Sequence, residues 1–239
     1  FIIVIFIFCS LALYEFQKLI QYKSPVPFIL FGLIIYQFYN NKLNAYLHLS
    51  LLGLSVLSNL FLTYLLFTKK IIKLIPYQKS ALTLFYIVAS SYFIIASSSL
   101  SSSIENGIII SIYFLVWVNN SFAYILGKKY GKNLLFKEIS PKKTWEGFWG
   151  GAIVCFISSF LLIFYHPLYP AWTFPILSIL IAVTSTVGDL VQSKFKRQAL
   201  VKDSGSLIPG HGGFYDRMDS ILFTAPFIFL VLMIISYVS

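Results

Sequence analysis

The sequence predicts an all-α, polytopic integral membrane protein with about eight transmembrane helices in a single integral domain, residues 1–239. Three observations predict it. Of 239 residues, 58% are hydrophobic and only 11% charged, against about 25% charged in soluble domains, and the mean hydropathy is +0.83. The apolar residues fall in continuous runs, not in the alternation that a barrel requires. Most runs approach the roughly 20 residues that a helix needs to cross a bilayer, and only helices or closed barrels satisfy the backbone in lipid.

The runs lie at about 1–14, 25–39, 45–67, 80–100, 107–126, 147–166, 171–191 and 218–238. The first, FIIVIFIFCSLALY, has no basic flank before it, so a secretory signal is not expected and a further N-terminal piece is. The second is short and bounded by Pro25 and Pro27, which predicts a re-entrant or tilted segment. All eight are counted as spans. Cys9 and Cys155 both sit inside apolar runs and read as small core residues.

The connecting loops carry the charge. The chain has 18 Lys and Arg against 8 Asp and Glu, a net charge of +10. All the basic residues except Lys42 fall in four alternate loops: Lys18 and Lys23; Lys69, Lys70, Lys73 and Lys79; the six lysines from Lys128 to Lys143; and Lys194, Lys196, Arg197, Lys202 and Arg217. The positive-inside rule places these loops in the cytoplasm and both ends of the chain outside. Topology signalling and attraction to anionic lipid account for the loop around Lys73. Nucleic acid is not an expected partner of a basic face so placed.

Two loops hold more than lysine. All four aspartates, Asp189, Asp203, Asp216 and Asp219, and both arginines lie between residues 189 and 219. Arginine offers a planar fork that grips phosphate in bidentate fashion, and lysine does not. Asp189 ends an apolar run, where a carboxylate is costly unless paired or bound to metal. Asp216 and Asp219 are three apart and would share a helix face. Facing carboxylates make a hard-oxygen site suited to Mg²⁺; the other reading is that Asp216 and Asp219 are helix N-terminal acids favoured by the dipole, with Asp189 paired to lysine. The turn PGHGGF, with His211, Gly212 and Gly213, permits close approach of a ligand to the main chain and can form an anion nest, although alone it also suits a plain interhelical loop. Upstream, SPKKTWEG sets Ser140, Lys142, Lys143 and Thr144 before an apolar run. Donors beside a helix start suit a polyphosphate, and a solvated basic loop is the alternative.

The run SKFKRQALVKDSGSLIPGHGGFYDRMDS, residues 193–220, resembles the signature of the phosphatidate cytidylyltransferases, or CDP-diacylglycerol synthases. It fits at Ser193, Lys196, Arg197, Lys202, Asp203, His211, Gly212, Gly213, Asp216, Arg217 and Asp219. GDL before it and SPKKTWEG upstream are similar to the same family, so the resemblance covers the C-terminal half, whereas residues 1–100 match only in being apolar. The resemblance implies that CTP and phosphatidic acid give CDP-diacylglycerol and pyrophosphate in phospholipid biosynthesis. It implies Mg²⁺ held by Asp189 and Asp216, supported by Asp219, with a monovalent ion such as K⁺ beside it. Lys196, Arg197 and Arg217 would then bind phosphates. Ser193, Lys202, Asp203, His211, Gly212, Gly213, Ser140, Lys142 and Lys143 would line the substrates. Residues 101–239 become the catalytic helices and loops, residues 1–100 the N-terminal helices, and the setting a bacterial inner membrane with the site facing the cytoplasm; a homodimer is compatible with this reading. One position departs: the family often has Asp where WVNNSFAY has Asn120, and that acid is expected not to be essential. The competing readings are a CTP-dependent polyprenol or lipid kinase and an ion-coupled transporter with acids paired in mid-span.

Overall fold

The computed structural model describes residues 2–68, 72–97, 105–167, 169–207, 210 and 212–238. Its apolar runs all become helices: α1 (Ile2–Leu19), α2 (Val26–Tyr39), α3 (Ala45–Phe67), α4 (Pro76–Leu82) continuing through a π-helical turn (Thr83–Val88) into α5 (Ala89–Ala96), α6 (Glu105–Tyr130), α7 (Trp145–Tyr165), α8 (Thr173–Gln198) and α9 (Tyr215–Val238). A small antiparallel hairpin, β1 (Leu134–Phe136) and β2 (Ser140–Thr144), links α6 to α7. Among the described residues, seven helices, counting Pro76–Ala96 as one, are long and apolar enough to cross a membrane. The eighth, α2, has 14 residues, about 21 Å of helix against a hydrocarbon core of about 30 Å. Its shortness agrees with the sequence, and Pro25 and Pro27 at its start supply helix-compatible φ angles where no N–H is needed. Large apolar side chains such as Leu57, Ile157, Phe164 and Ile179 remain exposed around the bundle, as lipid-facing positions must. The protein is an integral membrane protein of all-α class.

Polar ties show which helix ends lie together. Lys143 pairs with Asp189, joining the start of α7 to the end of α8. Lys194 Nζ donates to the carbonyls of Leu65 and Thr68, joining α8 to the end of α3. The Glu15 carboxylate accepts from Tyr215 N at 2.9 Å, joining α1 to the start of α9. Lys79 Nζ reaches Gln21 O. The four basic loops therefore share one end of the bundle. At the far end, Ser111 Oγ meets His166 Nε2 at 2.8 Å, and the Phe38 and His48 rings pack on Tyr92.

Two local devices shape the core. Gly147 and Gly151 on α7 face α6 so closely that a Cβ would come within 2.6 Å of the Ala123 and Asn119 carbonyl oxygens, respectively. This is the small-residue contact that lets helix backbones meet in lipid. In α9, Pro226 lacks the N–H that would continue the ladder and its ring crowds the preceding turn. The buried Asn59 of α3 donates Nδ2 to the Phe223 carbonyl at 2.9 Å, three residues before this proline, and ties α3 to α9.

Candidate active site

At the basic end, a cleft of about 410 Å³ opens between the ends of α6 and α8, the starts of α7 and α9, and the hairpin. Local chemistry fixes each wall. Thr144 caps α7, its hydroxyl accepting from Gly147 N, so β2 must end where α7 begins. Glu146, in the first turn of α7, accepts from Asn133 N and Asn133 Nδ2 and ties down the start of the hairpin. Trp145 N donates to Asn133 O. The hairpin is thereby held over the cleft with Ser140, Lys142, Lys143 and Thr144 lining it.

The carboxylates come from α8 and α9. Asp189 Oδ2 meets Lys143 Nζ at 2.6 Å, and its Oδ1 accepts from Ser193 Oγ one turn later. Asp216 is saturated: Oδ1 takes Lys196 Nζ at 2.6 Å and Gln192 Nε2 at 3.2 Å, and Oδ2 takes Ser204 N, Ser204 Oγ and Gly213 N. Asp219 lines the same cleft although 8% exposed, with Oδ1 accepting from Ser220 N. Among the described residues, no three His, Cys, Asp or Glu side chains form a ready metal cluster. The donors nevertheless fit a magnesium ion that keeps several waters and one or two carboxylates. Asp189 and Asp219 both line the cleft, and the Lys143 ammonium stands against Asp189 where a cation would serve. Asp216 fits least well, because five donors already fill its oxygens.

Of the residues expected from sequence, the cleft gathers Asp189, Asp203, Asp216, Asp219, Lys196, Arg217, Ser140, Lys142 and Lys143. Ser193 lies behind Asp189. Gly213 serves through its amide on Asp216, and Gly212, at φ +84°, turns the chain toward that carboxylate. Lys202 is exposed and outside the cleft. His211 lies outside the described residues. Arg197 lines a second cleft, where its Nε donates to Ile139 O at 3.3 Å.

The sequence reading missed Glu15. It lies in the first apolar helix, 1% exposed. Its Oε2 accepts from Ser204 Oγ at 2.7 Å and Tyr215 N at 2.9 Å. The Ser204 hydroxyl also sits 2.9 Å from Asp216 Oδ2, so the two acids compete for its single proton. A Cβ on Gly213 would fall 2.1 Å from Glu15 Oε2, and one on Gly205 2.3 Å from Oε1. These glycines admit a buried carboxylate. Gln192 and Thr186 are further lining residues, as is Asn120, whose side chain joins Asn119, Ser185 and Ser220. As an amide Asn120 donates to Ser220 Oγ at 3.1 Å, a bond that a carboxylate there could only accept.

The chain is similar to phosphatidate cytidylyltransferases of Bacillus subtilis (strain 168), 42% identical over 124 residues, and of Rickettsia bellii (strain RML369-C), 43% identical over 141 residues. Those matches cover 51% of this chain and 46% of the Bacillus protein, and 55% and 61% for the Rickettsia one. A Haemophilus influenzae protein of the same name is 40% identical over 125 residues, 50% of this chain and 43% of that protein. The matched stretch thus spans about half the length of these curated relatives. The cytidylyltransferase family matches residues 1–235, nearly the whole chain including α1 and its Glu15, and the chain belongs to that family.

Proposed function

We propose that this protein is a phosphatidate cytidylyltransferase, joining CTP and phosphatidic acid into CDP-diacylglycerol with release of pyrophosphate, in a bacterial inner membrane with its cleft toward the cytoplasm. The observation that carries the reading is the cleft itself. It sets three carboxylates, Asp189, Asp216 and Asp219, among Lys142, Lys143, Lys196 and Arg217 at the basic end of an apolar bundle. The names of the relatives supply the substrates.

The chemistry asks for this composition. An oxygen of the lipid phosphate attacks the α-phosphorus of CTP, and the bond from that phosphorus to the bridging oxygen of the leaving pyrophosphate breaks. The nucleophile is already anionic, so a general base is not required. The obstacle is repulsion between two polyanions, which fixed cations relieve. Lys142, Lys143 and Ser140 on β2 close one side over the nucleotide phosphates, while Lys196 and Arg217 meet them from α8 and α9. Lys143 and Lys196 hold Asp189 and Asp216 in place until substrate phosphates compete for the ammonium groups. Bound Mg²⁺ would supply charge neutralisation at the phosphates, with Asp189 and Asp219 the better-placed ligands and Asp216 orienting Lys196 and the 203–213 loop.

The test uses the full-length protein in detergent with CTP, phosphatidic acid and Mg²⁺. CDP-diacylglycerol and pyrophosphate in equal amounts are expected. CDP with a phosphorylated alcohol would mean a lipid kinase, and no product would overturn the reading. Asp189→Asn is expected to lower kcat/KM by at least about a hundredfold; near-normal Mg²⁺-dependent turnover in that variant would remove Asp189 from the ion's coordination.

A further inference from the structure

The β1–β2 hairpin does not hold its position by itself. Two strands alone are at most marginally stable in water, and this pair is weakened further. The strands have three and five residues. Their pairing passes through a register shift between Leu134 and Phe136, and Pro141 in β2 has no N–H to give to the ladder. Yet β2 carries Ser140, Lys142 and Lys143 into the lining of the nucleotide cleft. Contacts from outside the hairpin must set where those side chains stand.

The contacts come from three directions. At the base, Trp145 N bonds Asn133 O and Glu146 holds Asn133. On the cleft side, Lys143 Nζ meets Asp189 Oδ2 at 2.6 Å, a tie that substrate phosphates would contest. At the tip, the contacts come from behind, across the second cleft of about 550 Å³. Arg197 Nε donates to Ile139 O at 3.3 Å, and the Phe136 ring packs on Phe67 of α3 with centroids 5.5 Å apart. The second cleft gives the hairpin room to fall back, and these two contacts bridge it.

The end of α8 supplies this rear wall through two cations three residues apart, which share a helix face. Lys194 Nζ donates to the carbonyls of Leu65 and Thr68, which fixes the end of α3 and with it Phe67. Arg197 does for the hairpin what Lys194 does for α3: each is directed at main-chain carbonyl oxygen. The Ile139 carbonyl and the Ser140 N–H belong to one planar peptide unit, so the bond that holds the first also holds the start of β2. Ile139 N in turn bonds Phe136 O, which closes the tip on the residue that meets Phe67.

We propose that Arg197 is a positioning residue: by tethering the Ile139 carbonyl to the end of α8, it holds the hairpin forward and sets Ser140, Lys142 and Lys143 over the nucleotide phosphates. The resemblance to the family signature implies a phosphate ligand at this position. The geometry gives Arg197 a different task, performed through its Nε–H and not through its charge. Lys196, one residue earlier, lines the nucleotide cleft itself and bonds Asp216. The proposal rests on the cytidylyltransferase reading for the identity of the nucleotide.

Three substitutions in the full-length protein separate the tether from the charge. Glutamine carries its amide nitrogen as many bonds from the main chain as arginine carries Nε, so Arg197→Gln keeps the donor and loses the charge. Arg197→Lys keeps the charge and moves the donor one bond further out. Arg197→Ala loses both. Hydrogen exchange read by mass spectrometry, in detergent without substrate, reports on the hairpin directly. Arg197→Ala should speed exchange across residues 134–144 about fivefold, as expected for one lost hydrogen bond, with the melting temperature unchanged. In turnover the same variant should raise KM for CTP about fivefold and KM for phosphatidic acid by less than about twofold, because the hairpin closes over the nucleotide. Arg197→Gln should recover most of both losses, and more than Arg197→Lys does. Unchanged hairpin exchange in Arg197→Ala overturns the proposal, as does a larger change in KM for phosphatidic acid than for CTP. Better recovery by Arg197→Lys than by Arg197→Gln overturns it too, and makes Arg197 a phosphate ligand. If wild type turns over nothing, the cytidylyltransferase reading fails while the exchange measurement still decides the tether. If Arg197→Ala does not fold, the order of Arg197→Gln and Arg197→Lys decides it by the same readouts.

Discussion

Glu15 and Ser204 show how a single buried acid organises the site. A carboxylate taken out of water must be held by hydrogen bonds, and Glu15 finds two, from Ser204 Oγ and Tyr215 N, on the loop and helix that present Asp216. Glu15→Ala would strand the buried Tyr215 N–H, a loss of about 1–3 kcal/mol for the unpaired group, and free Ser204 from one of its two acids. Glu15→Gln keeps one acceptor oxygen but introduces an NH₂ against Gly205 and Gly213. The expected outcome is a fall in turnover of about 10- to 100-fold for Glu15→Ala, as for other residues that orient a ligand-holding side chain, and a smaller fall for Glu15→Gln. Steady-state kinetics with a melting curve for each variant checks this: a melting temperature lowered with kcat unchanged would leave Glu15 a purely structural tie. Nothing local in the sequence marks Glu15. It sits in an apolar run 200 residues from Tyr215, and only the fold brings the two together. The signature acids were legible because they cluster within 31 residues. Their division of labour was not: the donors on Asp216 come from Gln192 and Lys196 of α8 and from Ser204 and Gly213 of the 203–213 loop, and that grouping required coordinates.

Helix contacts explain why the elements hold these side chains still. Gly147 and Gly151 form the close contact between α6 and α7. That contact sets where Asn120 and Lys143 stand relative to each other. Gly151→Ala would push a Cβ to 2.6 Å from the Asn119 carbonyl oxygen, which backbone cannot easily give. Overpacking of this kind costs about 1–3 kcal/mol, and the expected result is a lowered melting temperature together with reduced activity. Gly53, whose surroundings are open within 4 Å, provides the contrast: Gly53→Ala on α3 should leave the melting temperature unchanged or raise it, since alanine is the better helix former by about 1 kcal/mol. Equal effects at the two positions would mean that the α6–α7 contact is not tight. Element positions were legible in the sequence to within a few residues because hydropathy is a long-window signal. The hairpin was not, since three and five residues of mixed polarity carry no period. The roll of α8 about its axis, which sends Lys196 and Arg197 into different clefts, follows from packing against α3 and α9 and not from the motif.

At the scale of the whole molecule, charge and fold make one statement about sidedness. Seventeen of the eighteen basic residues belong to four loops by sequence, and polar ties from α1, α3, α7, α8 and α9 bring those loops to one end. The short α2 does not break the alternation, because Phe38 near its end packs on Tyr92 and the next helix starts at the same depth through His48. Moving this end through a bilayer would require burying many charges, each costing about 2.5–3.5 kcal/mol at a helix centre, so a single orientation is enforced. Under the proposed function, the orientation that the basic residues favour is the one that would present the cleft to cytoplasmic CTP. Cysteine labelling tests the placement directly, since native Cys9 and Cys155 are both buried and give little background. In intact cells, a membrane-impermeant maleimide should label Lys42→Cys, in the α2–α3 loop. It should label Lys23→Cys, Lys132→Cys and Lys202→Cys only after permeabilisation. Labelling of Lys42→Cys and Lys132→Cys from the same side would contradict both the charge rule and the bundle, because α3, α4 with α5, and α6 would then have to make an even number of crossings between them.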